Sequence, residues 1–342
     1  MSTMSIGLSM FGAMLVLMAV RVPIAISMFV PGAVGYMALA GWLPLLSHLK
    51  GAVYSRVSIY DLSVIPLFML MGAFAVHGGL SKALFDFANA LLGRFKGGMA
   101  MAGVLACAAF GSISGSTVAT TATIAQVAYP EMRRINYSGR LATAALATGG
   151  TMGVLLPPSV TLMVYAILTE QNITKMFLAA YIPALIAAVG YLIAIAVIVR
   201  IHPDQAPQAK AATASELMTT AVNVWPIAAI FLVVFGGIYG GVFTATEGAA
   251  IGNVLTFAIT LLRREMTFDK LVASIRTTAQ TSGMIFLIFI GADMINASLA
   301  LSQLPAQLAG VLASLTGMVL GSLGPQAIRN AHGSHHKLVG AT

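Results

Sequence analysis

The chain has 342 residues, of which 58% are hydrophobic and 8% charged, with 18 basic against 10 acidic side chains and a formal charge of +8. A water-soluble domain carries about a quarter charged residues, so a soluble fold is excluded, and apolar runs of about 20 residues recurring along the sequence exclude a single anchor on a soluble domain. The basic residues fall in short loops between apolar runs, where they orient membrane helices, so the positive balance points to the membrane and not to nucleic acid.

Apolar segments run from about Ser5 to Val20, Val22 to Leu46, Ile65 to Val76, Gly97 to Ala128, Leu141 to Leu168, Met176 to Val199, Trp225 to Phe243, Gly248 to Leu262 and Gly283 to Leu304. The pattern predicts an all-α, polytopic helical membrane protein. The N-terminus has no basic stretch before its apolar run and no small-residue cleavage signal after it, so the first segment is expected to stay. Between the spans, Ser81 to Lys96 places Leu84, Phe87, Leu91 and Phe95 at helical spacing beside Lys82, Asp86 and Arg94, which predicts an amphipathic helix along the membrane surface. Cys107 is the only cysteine and sits in an Ala-rich run, so neither an internal disulfide nor a thiolate metal site is available.

The excess of Lys and Arg in cytoplasmic loops yields one consistent topology. Thirteen basic residues lie inside (Arg21, Lys82, Arg94, Lys96, Arg133, Arg134, Arg140, Arg200, Lys210, Arg263, Arg264, Lys270, Arg276) and three outside before the tail (Lys50, Arg56, Lys175). Both flanks of Gly97 to Ala128 are then cytoplasmic, and its halves are short for full spans. The segment is expected to be a re-entrant hairpin (about 97–130) turning at Gly111-Ser-Ile-Ser-Gly-Ser-Thr117, where polar groups satisfy the broken backbone. The next segment (about 141–169) is interrupted by Gly149-Gly-Thr-Met-Gly153 and Pro157-Pro158, which predicts a broken helix with freed carbonyls at membrane depth. A broken helix beside a polar tip lets carbonyls hold a cation and helix N-termini face an anion, which points to transport.

Leu67-Phe-Met-Leu-Met-Gly-Ala73 reappears as Phe286-Leu-Ile-Phe-Ile-Gly-Ala292, with the two copies predicted to run in opposite directions, as an inverted-topology repeat requires. The implied division is a first repeat over 1–200, a cytoplasmic loop over 201–224, an incomplete second repeat over 225–323 and a polar tail over 324–342. The counterpart of the Gly111 tip would fall near Asn330, where the sequence is polar and unlike a hairpin, so the chain is expected to be truncated or frameshifted between Leu304 and Gly324.

Phe110-Gly-Ser-Ile-Ser-Gly-Ser116, Tyr129-Pro-Glu-Met132, Gly150-Thr-Met-Gly-Val-Leu-Leu-Pro-Pro-Ser159, Gly236-Gly-Ile-Tyr-Gly-Gly-Val-Phe-Thr-Ala-Thr-Glu247 and Gly283-Met-Ile-Phe286 occur in the order found in the large membrane subunit of TRAP transporters, the sialic acid and C4-dicarboxylate type. The chain resembles that family over about residues 5–305. The resemblance implies a sodium-coupled elevator transporter of the bacterial inner membrane. It would work with a small TRAP membrane subunit and accept a small organic anion from a periplasmic substrate-binding protein, with Na+ as coupling ion and no cofactor. The family's second Thr-Pro-Pro break is missing here, which keeps an inactive fragment and a binding-protein-independent sodium/anion symporter as alternatives.

A hard cation prefers oxygen donors, so the sodium candidates are Ser112, Ser114, Gly115, Ser116, Gly150, Thr151 and Gly153, and the substrate candidates are Ser116, Thr117, Thr120, Pro157, Pro158 and Ser159. The competing reading of these hydroxyls is close helix packing. An enzyme is rejected, because Gly111-Ser-Ile-Ser-Gly115 puts Ile113 where a nucleophile elbow needs serine, and His77 lies at a predicted helix end. Glu247, following Thr244, reads as a helix cap, and Asp293 is left without a role. The tail's His332, His335 and His336 have no acidic or cysteine neighbours, so no metal site other than sodium is expected.

Overall fold

The computed structural model describes residues 2–207 and 212–310, with side chains at all of these except positions 56 and 57. Lys210, the tail histidines and the Asn330 region therefore lie outside the described residues. Thirteen α-helices and two short 3-10 turns, without a strand, make up the described part. Six helical segments are long and apolar enough to cross a membrane: Tyr60–His77, Gly139–Leu168, Ile173–Ile201, Ala214–Tyr239, Ala245–Leu262 and Phe268–Ser302. The chain is a polytopic helical membrane protein.

Two compact units emerge, one built from residues 2–58 with 284–310 and the other from residues 59–283. They do not follow the 1–200 and 225–323 division expected from the repeat, because helices distant in sequence pack together inside one unit. The first unit contains α1 (Thr3–Ala19), α2 (Ile24–Ala40), α3 (Trp42–Val57) and the later part of α13 (Phe268–Ser302), and α1, α2 and α13 meet through small residues. A Cβ on Gly32 would lie 2.8 Å from the Ile295 nitrogen, and one on Gly291 would lie 2.7 Å from the Ala25 carbonyl oxygen. Backbones approach this closely only where side chains are absent. The single apolar run expected from Val22 to Leu46 is split at Gly41, whose φ of 95° few residues but glycine adopt.

The second unit contains α4 (Val64–His77), α5 (Leu80–Leu92), α6 (Gly98–Ser114), α7 (Thr117–Arg134), α8 (Gly139–Leu155), α9 (Val160–Leu168), α10 (Ile173–Ile201), α11 (Ala214–Tyr239), α12 (Ala245–Leu262) and the start of α13. Asn253 of α12 ties that helix to α4 by donating from Nδ2 to the Leu67 carbonyl at 2.7 Å. Lys270 Nζ reaches the His77 carbonyl at 3.2 Å and the Glu265 carbonyl at 2.7 Å, placing a cation where the last carbonyls of α4 lack helical partners.

Two spans begin earlier than hydropathy suggested. The 201–224 stretch read as a loop is helical from Ala214, because Thr213 and Glu216 form a reciprocal capping box. Helix α13 begins at Phe268 and runs unbroken through the polar Thr277 to Ser282 stretch, with Ser274, Thr278 and Ser282 buried against neighbours. The amphipathic helix is present as α5, and of the expected stripe Leu84 is buried, together with Leu80, Phe85 and Ala88, while Phe87 is half-buried. Leu91 is 44% and Phe95 46% exposed.

The basic loops gather at one end of this unit. Tyr137, between α7 and α8, accepts a hydrogen bond from Met99 N of α6 at 3.3 Å, and its burial pushes the phenol above its ordinary pKa. Arg133 donates to the Tyr137 carbonyl, and Ser138 N donates to the Gln205 carbonyl beyond α10. These bonds bring the loops bearing Arg94, Lys96, Arg133, Arg134, Arg140 and Arg200 to one level, as the charge pattern predicts for a cytoplasmic face.

Candidate functional site: a hairpin tip on a broken helix

Helix α6 is buried on nearly every side, as a helix apolar all round should be. It ends at Gly115, which adopts a left-handed φ of 60° and donates to the Gly111 carbonyl at 2.8 Å. Ser116 then caps α7, its hydroxyl accepting from Ala119 N at 3.3 Å. The result is a helix–turn–helix hairpin with both ends at the basic level. Helix α8 stops at Leu155, and Ser159 caps α9 by accepting from Leu162 N at 3.3 Å. Pro157 and Pro158, joined by a cis peptide bond, occupy the gap.

The tip rests on the break. A Cβ on Gly115 would sit 2.8 Å from the Pro158 carbonyl oxygen. One on Gly111 would sit 2.5 Å from Gly153 Cα, and one on Gly153 would be 3.0 Å from Thr120 Oγ1 and 3.2 Å from the Ser116 carbonyl oxygen. A Cβ on Gly150 would collide with the Thr121 side chain. The hairpin therefore reaches the interior of the Gly139–Leu168 span and stops there, as expected of a re-entrant element. Helix α4 closes another side, since a Cβ on Gly72 would meet Ser114 Cα at 2.8 Å.

The polar groups here are buried. Ser114, Thr120 and Ser159 are 6%, 0% and 0% exposed, and Ser114 Oγ lies 2.6 Å from Thr120 Oγ1. Ser114 Oγ also donates to the Ser116 carbonyl at 3.5 Å and accepts from Ser116 N at 3.4 Å. The α6 and α8 C-termini and the α7 and α9 N-termini thus converge in one place. Helix ends carry about half a charge of each sign, worth roughly 0.3–1 kcal/mol each to a matching ion and more where water is excluded. The same junction offers oxygen donors to a cation and N–H donors to an anion.

Of the sequence-derived candidates, the fold brings together Ser114, Gly115, Ser116, Thr120, Gly150, Gly153, Pro158 and Ser159, with Pro157 buried beside them. Thr117 is half-buried at the start of α7, and its carbonyl accepts from Thr121 Oγ1 at 2.8 Å. Two candidates turn their hydroxyls elsewhere. Ser112 donates back to the Ala109 carbonyl at 2.7 Å. Thr151 donates to the Thr148 carbonyl and lies 3.1 Å from the Tyr191 hydroxyl of α10. Gly72 and Thr121 were missed. The repeated Leu67–Ala73 motif carried a signal for Gly72, whereas nothing local marks Thr121.

Glu247 behaves as a cap, its carboxylate accepting from Thr244 N at 2.8 Å while Thr244 Oγ1 accepts from Glu247 N. Asp293 is half-buried on α13 in the first unit. Among the described residues no three His, Cys, Asp or Glu side chains cluster as metal ligands.

Comparison with known proteins shows the family of the chain. Residues 11–324 match the family described as tripartite ATP-independent periplasmic transporter, DctM component. The C4-dicarboxylate TRAP transporter large permease of Pseudomonas aeruginosa is 32% identical over 75% of this chain and 60% of its own length. That of Vibrio cholerae is 34% identical over 71% of this chain and 53% of its own length. The 2,3-diketo-L-gulonate TRAP transporter large permease of Escherichia coli is 29% identical over 89% of this chain and 71% of its own length. The chain thus spans a little over half the length of the first two relatives. These relatives are named as permeases, not enzymes, and the fold and match together place the chain in the bacterial inner membrane as a member of the DctM component family of tripartite ATP-independent periplasmic transporters.

Proposed function

We propose that this chain acts as the large transmembrane subunit of a sodium-coupled importer for a small carboxylate. The cargo would be delivered by a periplasmic substrate-binding protein, and a small TRAP membrane subunit would complete the membrane complex. The observation that carries the reading is the junction of Gly115 with Pro158, where two capped helix N-termini and two helix C-termini meet in a buried, hydroxyl-lined place. Carbonyls and hydroxyls of the α6 and α8 ends (Ser114, Gly115, Gly150, Gly153) suit Na+, and the N–H groups beyond Ser116 and Ser159 suit a carboxylate. Bringing a carboxylate alone into a low-dielectric site is costly, so a cation held next to it couples the two bindings. The relatives named for C4-dicarboxylates and diketogulonate share a carboxylate, which supports that substrate class.

The proposed movement is an elevator step in which α6 to α9 travel as one body. The Gly111–Gly153 contact supports this, because backbones in direct contact have no slack for sliding past each other. Helix α5 would join this body to the scaffold, and α4 and α13 would be corresponding members of two inverted repeats. The test is uptake of a radiolabelled C4-dicarboxylate into proteoliposomes containing the chain, its small subunit and the binding protein. Uptake that requires both a sodium gradient and the binding protein supports the reading. Uptake indifferent to sodium rejects it.

A further inference from the structure

The turn between α5 and the hairpin bears a feature that transport chemistry does not use. Phe95 and Lys96 occupy the turn, fixed by Phe95 N donating to the Leu92 carbonyl at 3.0 Å and Gly98 N donating to the Phe95 carbonyl at 2.8 Å. Gly97, with φ of 79°, lets the backbone settle on α10, since a Cβ there would lie 2.9 Å from Val199 Cγ2. Beside it opens a cleft of about 470 Å³ with an apolar floor of Leu92, Phe95, Met101, Ala196 and Val199. Lys96 and Arg200 stand at its edge, both exposed. Neither side chain has an ion pair or hydrogen bond among the described residues, and the Arg94 guanidinium lies over the Phe95 ring at 4.9 Å.

We infer that this cleft binds one anionic phospholipid of the cytoplasmic leaflet, with its phosphate between Lys96 and Arg200 and an acyl chain along Met101, Ala196 and Val199. Charge complementarity selects the headgroup. Two cations at the basic end of a membrane unit attract the negative leaflet, whereas a zwitterionic headgroup gains little from them. The floor selects a lipid over a free phosphate, because a free ion leaves the apolar surface in water. The guanidinium can engage phosphate through two parallel N–H donors, and the ammonium adds a point charge. The seat braces α5, α6 and α10 together at the foot of the hairpin. The inference stands whether or not the chain carries a carboxylate, since retention is read without transport.

Native mass spectrometry of the purified full chain, with phosphatidylglycerol, phosphatidylethanolamine or inorganic phosphate added, tests it. The expected result is retained phosphatidylglycerol adducts that excess phosphate does not displace, with far weaker phosphatidylethanolamine retention. The double variant Lys96→Gln/Arg200→Gln should lower phosphatidylglycerol occupancy roughly tenfold or more, given the usual contribution of each basic residue at an anionic surface. Ala196→Trp, which fills the cleft without changing charge, should lower it comparably, while Lys82→Gln/Arg134→Gln, equal in charge but outside this cleft, should leave it within twofold. Equal retention of both lipids, displacement by free phosphate, or equal losses in the two charge-matched double variants would overturn the assignment.

Discussion

Gly115 concentrates two demands in one position, a left-handed φ of 60° and a backbone approach to Pro158 that leaves no room for a methyl group. The conformation alone costs about 1–2 kcal/mol for a residue bearing a Cβ. Gly115→Ala is therefore expected to lower the melting temperature in detergent by several degrees and to abolish uptake, whereas wild-type uptake in this variant would contradict the tight junction. Ser114 and Thr120 form a buried hydroxyl pair, and removing either hydroxyl takes from its partner the shortest hydrogen bond it makes, at a cost of about 0.5–1.5 kcal/mol. A double-mutant cycle with Ser114→Ala and Thr120→Ala should show the double variant losing clearly less than the sum of the singles; strict additivity would mean the pair is not coupled. Thr151 is different, because its hydroxyl is committed to α10 through Tyr191. Thr151→Val should leave the sodium concentration for half-maximal uptake within twofold, which a sodium titration of uptake checks. The distinction between Thr151 and Thr120 was not legible in the sequence, where both are threonines in small-residue runs. Which face of a helix a hydroxyl takes depends on the partner helix, and Tyr191 lies forty residues from Thr151.

Among the helices, those with an internal signal were readable and those defined by partners were not. The hairpin turn, the Pro157–Pro158 break and the Thr244–Glu247 cap all stand in a few consecutive residues, and all three are where the residue types place them. The starts of α11 and α13 were misplaced because hydropathy marks only the apolar stretch of a helix, while capping at Thr213 and burial of polar residues such as Ser274 and Thr278 carry it further. The face of α5 was read only in part, because spacing shows that a helix is amphipathic but not which of its apolar residues the neighbours cover: α5 packs on α6 and α11 with Leu84 and Phe85 buried, while Leu91 and Phe95 stay exposed. The pairing of α4 with α12 through Asn253 had no local signal. Interhelical hydrogen bonds of this kind are worth about 0.6–2 kcal/mol in membranes, so Asn253→Leu should lower the melting temperature modestly while preserving the helical circular dichroism signal. An unchanged melting temperature would show that the Leu67 carbonyl does not depend on Asn253.

At the scale of the molecule, the thirteen helices of the described residues fall into two compact units, and the hairpin and broken helix lie within one of them, residues 59–283. The basic residues at one end of that unit orient it, and the small residues between α6 and α8 make the proposed moving body stiff. The proposed mechanism stands or falls with a sodium ion held by Ser114 and its neighbours at the junction of the hairpin tip with the helix break. Because an ion that binds only the folded state stabilises it in proportion to ln(1 + [Na+]/Kd), the most direct measurement is the melting temperature of the purified chain over a sodium series at constant ionic strength with potassium as replacement. The account predicts a rise with sodium that potassium does not reproduce, and a much smaller rise in both Ser114→Ala and Ser116→Ala. A sodium-dependent rise of the same size in those variants would place the ion elsewhere and contradict the account.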